Sequence, residues 1–118
     1  MYFVLLLPLL LSTVFTPTVE RAFSLFRDAD LPGAASALDQ AYADDPELFA
    51  ANNLHYLRGR IAETQMDWAR AKSEFTALTS ENPLYPLAMW HAARVSVRLQ
   101  DDAASESFLS RLPRAFPP

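Results

Sequence analysis

Three aspartates, Asp30, Asp67 and Asp101, stand 37 and 34 residues apart and share their surroundings. Eight residues before each comes a small residue: Ala22, Gly59 and Ala93. Four residues after each comes another, Ala34, Ala71 and Ser105, and eight after comes a large apolar one, Leu38, Phe75 and Leu109. Sixteen after each stands a proline: Pro46, Pro83 and Pro117. Agreement of all these positions in three copies marks an internal repeat. Each copy of such a repeat is one supersecondary unit that buries its apolar face only against its neighbours.

The spacings read as packing rules for helix hairpins. Small residues before and after the aspartate let two helices approach closely. The large residue, with Ala41, Leu78 and Leu112 three positions further on, fills the groove between them. An aspartate at the turn caps the second helix, because its carboxylate accepts from unpaired N–H groups of the first turn. A proline between units opens a helix where no backbone donor is needed. The expectation is therefore all-α: three antiparallel helix hairpins over about 18–46, 47–83 and 84–117. Helices are expected near 18–29, 33–43, 47–65, 68–79, 86–99 and 102–112. Each is marginal alone in water, so stacking has to supply the stability. No polar capping helix follows the third repeat. The expectation from that is a truncated reading frame or the first part of a longer superhelix.

Composition agrees and excludes. The 118 residues include only two glycines, which speaks against tight-turned β folds and phosphate-cradling loops. Fourteen acids against ten bases leave a net charge of −4 with no basic cluster, so nucleic acid is not an expected partner. The absence of cysteine excludes disulfides, a thiol nucleophile and a Cys-linked lipid. The opening MYFVLLLPLLLSTVFT is an apolar run too short for a comfortable membrane span. Residues 1–17 fit a signal peptide, or else an N-terminal hydrophobic segment that is a short membrane anchor, a misassigned start or a packing helix; the first reading predicts a periplasmic or otherwise exported protein. Membrane contact is expected only through this leader.

The stretches YLRGRIAETQMDWARAKSEF (56–75) and NPLYPLAMWHAARV (82–95) carry a resemblance. Residues 18–118 resemble the tetratricopeptide repeat, which implies stacking as a right-handed superhelix, an α-solenoid. Those two stretches are similar to the N-terminal superhelical region of soluble lytic murein transglycosylases, periplasmic enzymes that cleave peptidoglycan glycan strands to 1,6-anhydro ends. In that family the catalytic glutamate lies in a separate lysozyme-like domain, in an Glu-Ser motif with a Gly-Leu-Met-Gln segment downstream. Here Glu106-Ser107 is the one such dipeptide, it falls within a predicted helix, and no Gly-Leu-Met-Gln follows. The resemblance thus implies a non-catalytic scaffold segment of an exported, peptidoglycan-processing protein, with a glycan strand met through a catalytic domain this chain lacks. The alternative is a stand-alone module of the cell envelope that binds a protein or peptide segment.

No residue pattern argues for chemistry of its own. His55 and His91 have no partner at helical metal-ligand spacing and read as packed or surface histidines, so no metal or other cofactor is expected. Asp44-Asp45 and Asp101-Asp102 sit at predicted turns, where capping explains them better than acid–base work. The candidate site is a groove. The resemblance implies that the first helix of each hairpin lines the concave wall. On those helices Asn53, Tyr56, Arg60 and Glu63 share one face, as do Trp90, Arg94 and Arg98. Tyr56 and Trp90 are equivalent, as are Arg60 and Arg94. Paired arginines and aromatics suit a carboxylate-bearing peptide or a sugar ring; the plainer reading is a solvated helix face.

Overall fold

In a computed structural model, the structure describes residues 17–112. The apolar leader and Pro117 lie outside them. The described chain is all-α, without a strand. Its seven helices are α1 (Pro17–Arg27), α2 (Leu31–Asp44), α3 (Pro46–Ala51), α4 (Leu54–Thr64), α5 (Trp68–Phe75), α6 (Tyr85–Arg98) and α7 (Asp102–Leu109). Among the described residues no helix is long and apolar enough to cross a membrane.

The chain divides into two compact units, one ending at Asn52 and the other beginning at Asn53. In the first, α2 packs against both α1 and α3. Val19 and Ala22 of α1 and Ala34, Leu38 and Ala41 of α2 are buried, and the Phe49 ring of α3 meets Tyr42 edge-on at 5.3 Å. In the second, α4 packs on α5, α5 on α6, and α6 on α7. Its core is built from Ala62, Ala71, Phe75, Leu78, Met89, Ala92, Val95, Phe108 and Leu112.

The repeated aspartates have one geometry. Asp30, Asp67 and Asp101 each cap the following helix, their carboxylates accepting from the backbone N–H of Gly33 (3.0 Å), Arg70 (3.3 Å) and Ala104 (3.0 Å). The residue before each, Ala29, Met66 and Gln100, is left-handed, with φ of 63°, 61° and 60°. The aspartate N–H then reaches back five residues, to the carbonyls of Leu25, Ala62 and Ser96, at 2.8–2.9 Å. Such a turn closes the preceding helix by satisfying a carbonyl of its last turn. One residue triplet thus ends one helix and starts the next, three times over. Of the repeat prolines, Pro46 opens α3, with Asp45 capping it through Leu48 N–H at 3.0 Å, whereas Pro83 lies before α6, whose first turn carries Pro86 instead.

Two expectations give way. The single helix expected over 47–65 is broken at Asn52 and Asn53, and Asn53 takes φ 59°. Asparagine tolerates the left-handed conformation better than most residues, because its short polar side chain can bond locally. In the third helix pair Leu109 is 45% exposed and Phe108 takes the buried place. Positions seven and eight after the aspartate flank the stripe formed by positions four and eleven on opposite sides, and the larger ring occupies the core side.

Gly59 shows why the small positions are small. A Cβ there would stand 2.8 Å from Phe75 Cε1, and Phe75 has no exposed surface through which to retreat. Gly59→Leu is expected to force α4 from α5 and to lower unfolding stability by about 1–3 kcal/mol or more through overpacking. Chemical denaturation of the parent and variant chains measures this, and an unchanged midpoint would contradict the packing.

Candidate functional site

The groove residues gather in the second unit, around Glu63. Glu63 lies near the end of α4 with its side chain only 11% exposed, and α6 presents Arg94 and His91 to it. Arg94 donates from Nη2 to Glu63 Oε2. Arg60, one helical turn back on α4, holds Nε 3.4 Å from Oε1. His91 Nδ1 is 3.5 Å from the same oxygen, close enough to sense the charge, yet makes no hydrogen bond. Two guanidiniums and an imidazole therefore converge on one carboxylate.

Aromatic faces orient the arginines. Arg94 lies 4.7 Å over the Trp90 ring, Arg60 5.9 Å over Tyr56, and Arg98 5.5 Å over Trp68 of α5. A cation over a ring face is attracted by it, which helps to hold the guanidinium in place. Glu63, Trp68, Arg94, Val95, Val97 and Arg98 line an open cleft of about 580 Å³. Val97 is 56% exposed and Trp90 40% exposed, so apolar surface stands beside the cations.

His91 sits beneath this layer, in the core. Its ring stacks on Phe75 at 5.2 Å with an interplanar angle of 19°, and Nε2 meets the Tyr56 hydroxyl at 3.2 Å. Burial, reinforced by the Arg60 and Arg94 charges and opposed by Glu63, pushes its pKa down to about 4. It is neutral at pH 7 and adds nothing to the positive charge above it.

The structure thus brings together Tyr56, Arg60, Glu63, Trp90, Arg94 and Arg98, but not as a bare groove wall. Tyr56, expected on the groove face, lies with its ring 5.8 Å from Phe75 of α5. Its hydroxyl accepts from Arg60 Nη1 at 3.1 Å. Asn53 lies in the break before α4 and does not share the helical face; its side-chain oxygen accepts from Asn82 Nδ2 at 2.7 Å. Asn82 also accepts from Leu84 N–H at 2.8 Å, which ties the approach to α6 to the start of α4. Trp68 of α5, packed against the core, also lines the cleft.

A second polar cluster was not foreseen. Glu74, on the buried side of α5, accepts from Arg58 Nε at 2.6 Å and meets His55 Nδ1 at 2.7 Å, both from α4. Arg58 and Glu74 are nearly inaccessible. Burial alone would raise the Glu74 carboxyl, but the hydrogen bonds and charges of His55 and Arg58 outweigh it and hold the group below its ordinary value. One signal was available: three polar residues at helical spacing on faces otherwise reserved for apolar side chains.

By fold and site this is an all-α chain of paired, Asp-capped helices carrying an arginine–aromatic cleft. No family model, no curated protein and no solved structure matches it.

Proposed function

We propose that the chain is a non-catalytic, tetratricopeptide-like interaction segment, an α-solenoid of three helix pairs whose α4–α5–α6 cleft holds a segment of another protein. The observation that carries this reading is the cleft itself, where exposed Val97 lies beside Arg94 and Arg98, each guanidinium over a tryptophan ring. Apolar surface flanked by oriented donors is the usual make-up of a recognition site, in which burial supplies affinity and polar groups fix the pose. The threefold repetition of the aspartate turn supports the solenoid. On the residue pattern of 56–75 and 82–95, the segment belongs to an exported, peptidoglycan-processing protein.

Panning a random peptide library on the full chain tests the binding role. The expected outcome is enrichment of peptides whose affinity falls about tenfold, ~1.4 kcal/mol, in Val97→Glu. That position is exposed enough for the variant to fold. Absence of enrichment, or peptides indifferent to Val97→Glu, would overturn it. Co-sedimentation with insoluble peptidoglycan that is lost in the same variant would assign the cleft to glycan instead.

A further inference from the structure

We infer that the occupant of the cleft is an acidic peptide segment in extended conformation, with Asp or Glu side chains at alternate positions, and that Glu63 is its internal competitor. The inference rests on the interaction-segment reading above and names the ligand class.

Charge is the first reason. Arg94 and Arg98 line the cleft against one lining carboxylate, Glu63, which Arg60 approaches from its own helix, and the neutral His91 changes nothing. The cleft is thus a positive island in a chain whose net charge is −4. Arg98 has no carboxylate partner among the described residues and lies over the Trp68 face. An exposed guanidinium stacked on a ring, with its N–H edge unused, is preorganised for bidentate recognition of a carboxylate.

Spacing is the second. Arg94 and Arg98 are one helical turn apart on α6, which separates them by about 6 Å along the axis. Side chains two residues apart on an extended peptide share a face and stand about 7 Å apart. One ligand carboxylate therefore meets Arg98 as the next meets Arg94. A lysine or neutral side chain at either point would leave a guanidinium desolvated without a partner.

Glu63 explains why the site is not simply open. Its Oε2 already takes one edge of Arg94 and its Oε1 faces Arg60. A ligand carboxylate has to share Arg94 with it, so Arg98 gives first capture and Arg94 is contested.

The test is fluorescence anisotropy on the full chain, with a short labelled peptide amidated at its C-terminus and carrying Ser-Glu-Leu-Glu-Ser, and matched peptides with Gln or Lys for Glu. The Glu peptide is expected to bind about tenfold tighter than the Gln peptide, to weaken with added salt, and to lose about tenfold in Arg98→Ala. Glu63→Gln is expected to raise its affinity severalfold while circular dichroism shows the helices retained. Equal binding of Glu and Gln peptides, or indifference to Arg98→Ala, would overturn the acidic preference. Unchanged or weaker binding to folded Glu63→Gln would overturn the competitor role. Tighter binding of a deoxythymidine oligonucleotide than of the Glu peptide would replace carboxylate by phosphate. Library-selected peptides that are neutral and indifferent to Arg98→Ala would sink this inference and leave the interaction reading standing, whereas no bound peptide at all would sink both.

Discussion

Glu74→Ala is expected to destabilise the second unit by about 3–5 kcal/mol, the largest effect of any polar substitution in the chain. The reason is asymmetric. With the carboxylate present, Arg58 Nε and His55 Nδ1 are both satisfied at 2.6 and 2.7 Å. Without it, a guanidinium only 10% exposed keeps its charge and loses the Glu74 carboxylate. Arginine cannot shed its proton to escape, so a buried charge is kept without the carboxylate that balanced it. Glu74→Gln keeps an acceptor and should cost less. The double change Arg58→Met with Glu74→Leu removes both charges together and is expected to be much closer to neutral, because replacing a buried pair by apolar groups avoids the desolvation cost. Denaturant titration of the three variants checks the ordering. A double variant as unstable as Glu74→Ala would show that the cluster contributes through more than mutual compensation.

Acid is expected to weaken the same unit in two steps. His91 has a folded pKa of about 4 against an ordinary 6.5. Between those values the unfolded chain binds a proton that the folded one refuses, so stability falls as pH drops from 6.5 toward 4. Above 6.5 the group contributes no slope. Over the full window the loss is about 3 kcal/mol. Burial among the Phe75, Tyr56 and Trp90 rings is the main cause; of the charged groups facing His91, Arg60 from α4 and Arg94 on its own helix oppose a positive charge and Glu63 favours it. Glu74 adds the second step. Its folded pKa lies below the ordinary value of 4.5, so its contribution is present above that value and is lost as pH falls further. Thermal unfolding at several pH values should show Tm falling from about pH 6.5 downward. His91→Phe, which keeps a ring on Phe75, should flatten the upper part and leave the lower. A His91→Phe chain whose Tm falls as steeply between pH 6.5 and 4 would remove His91 as the cause.

What was legible in the sequence follows the reach of each interaction. Helix starts and turns at Asp30, Asp67 and Asp101 depend on groups three to five residues apart, and such distances are visible in a linear string. The requirement for Gly59 was legible as well, since smallness on one helix and bulk on the next recur with the repeat. The break at Asn52 and Asn53 was harder, because apolar residues continue at helical spacing on both sides and one left-handed residue ends the helix without a glycine. Phe108 displaced Leu109 because two adjacent positions flank the same stripe, and size chose between them.

The sequence by itself determined the all-helical class, the aspartate turns and the small-against-large packing positions. The tertiary structure decided the electrostatics. Arg58 and Glu74 are 16 residues apart, and Arg94 and Glu63 are 31 apart. Which carboxylate takes which arginine depends on the side each helix turns toward its neighbour. Periodicity places Arg60, Arg94 and Arg98 on faces, but only the packing of α4, α5 and α6 leaves Arg98 on Trp68 with its edge unused and commits Arg94 to Glu63. A local cap needs one turn of backbone to form, whereas an ion pair between helices needs the whole unit folded before its two charges meet.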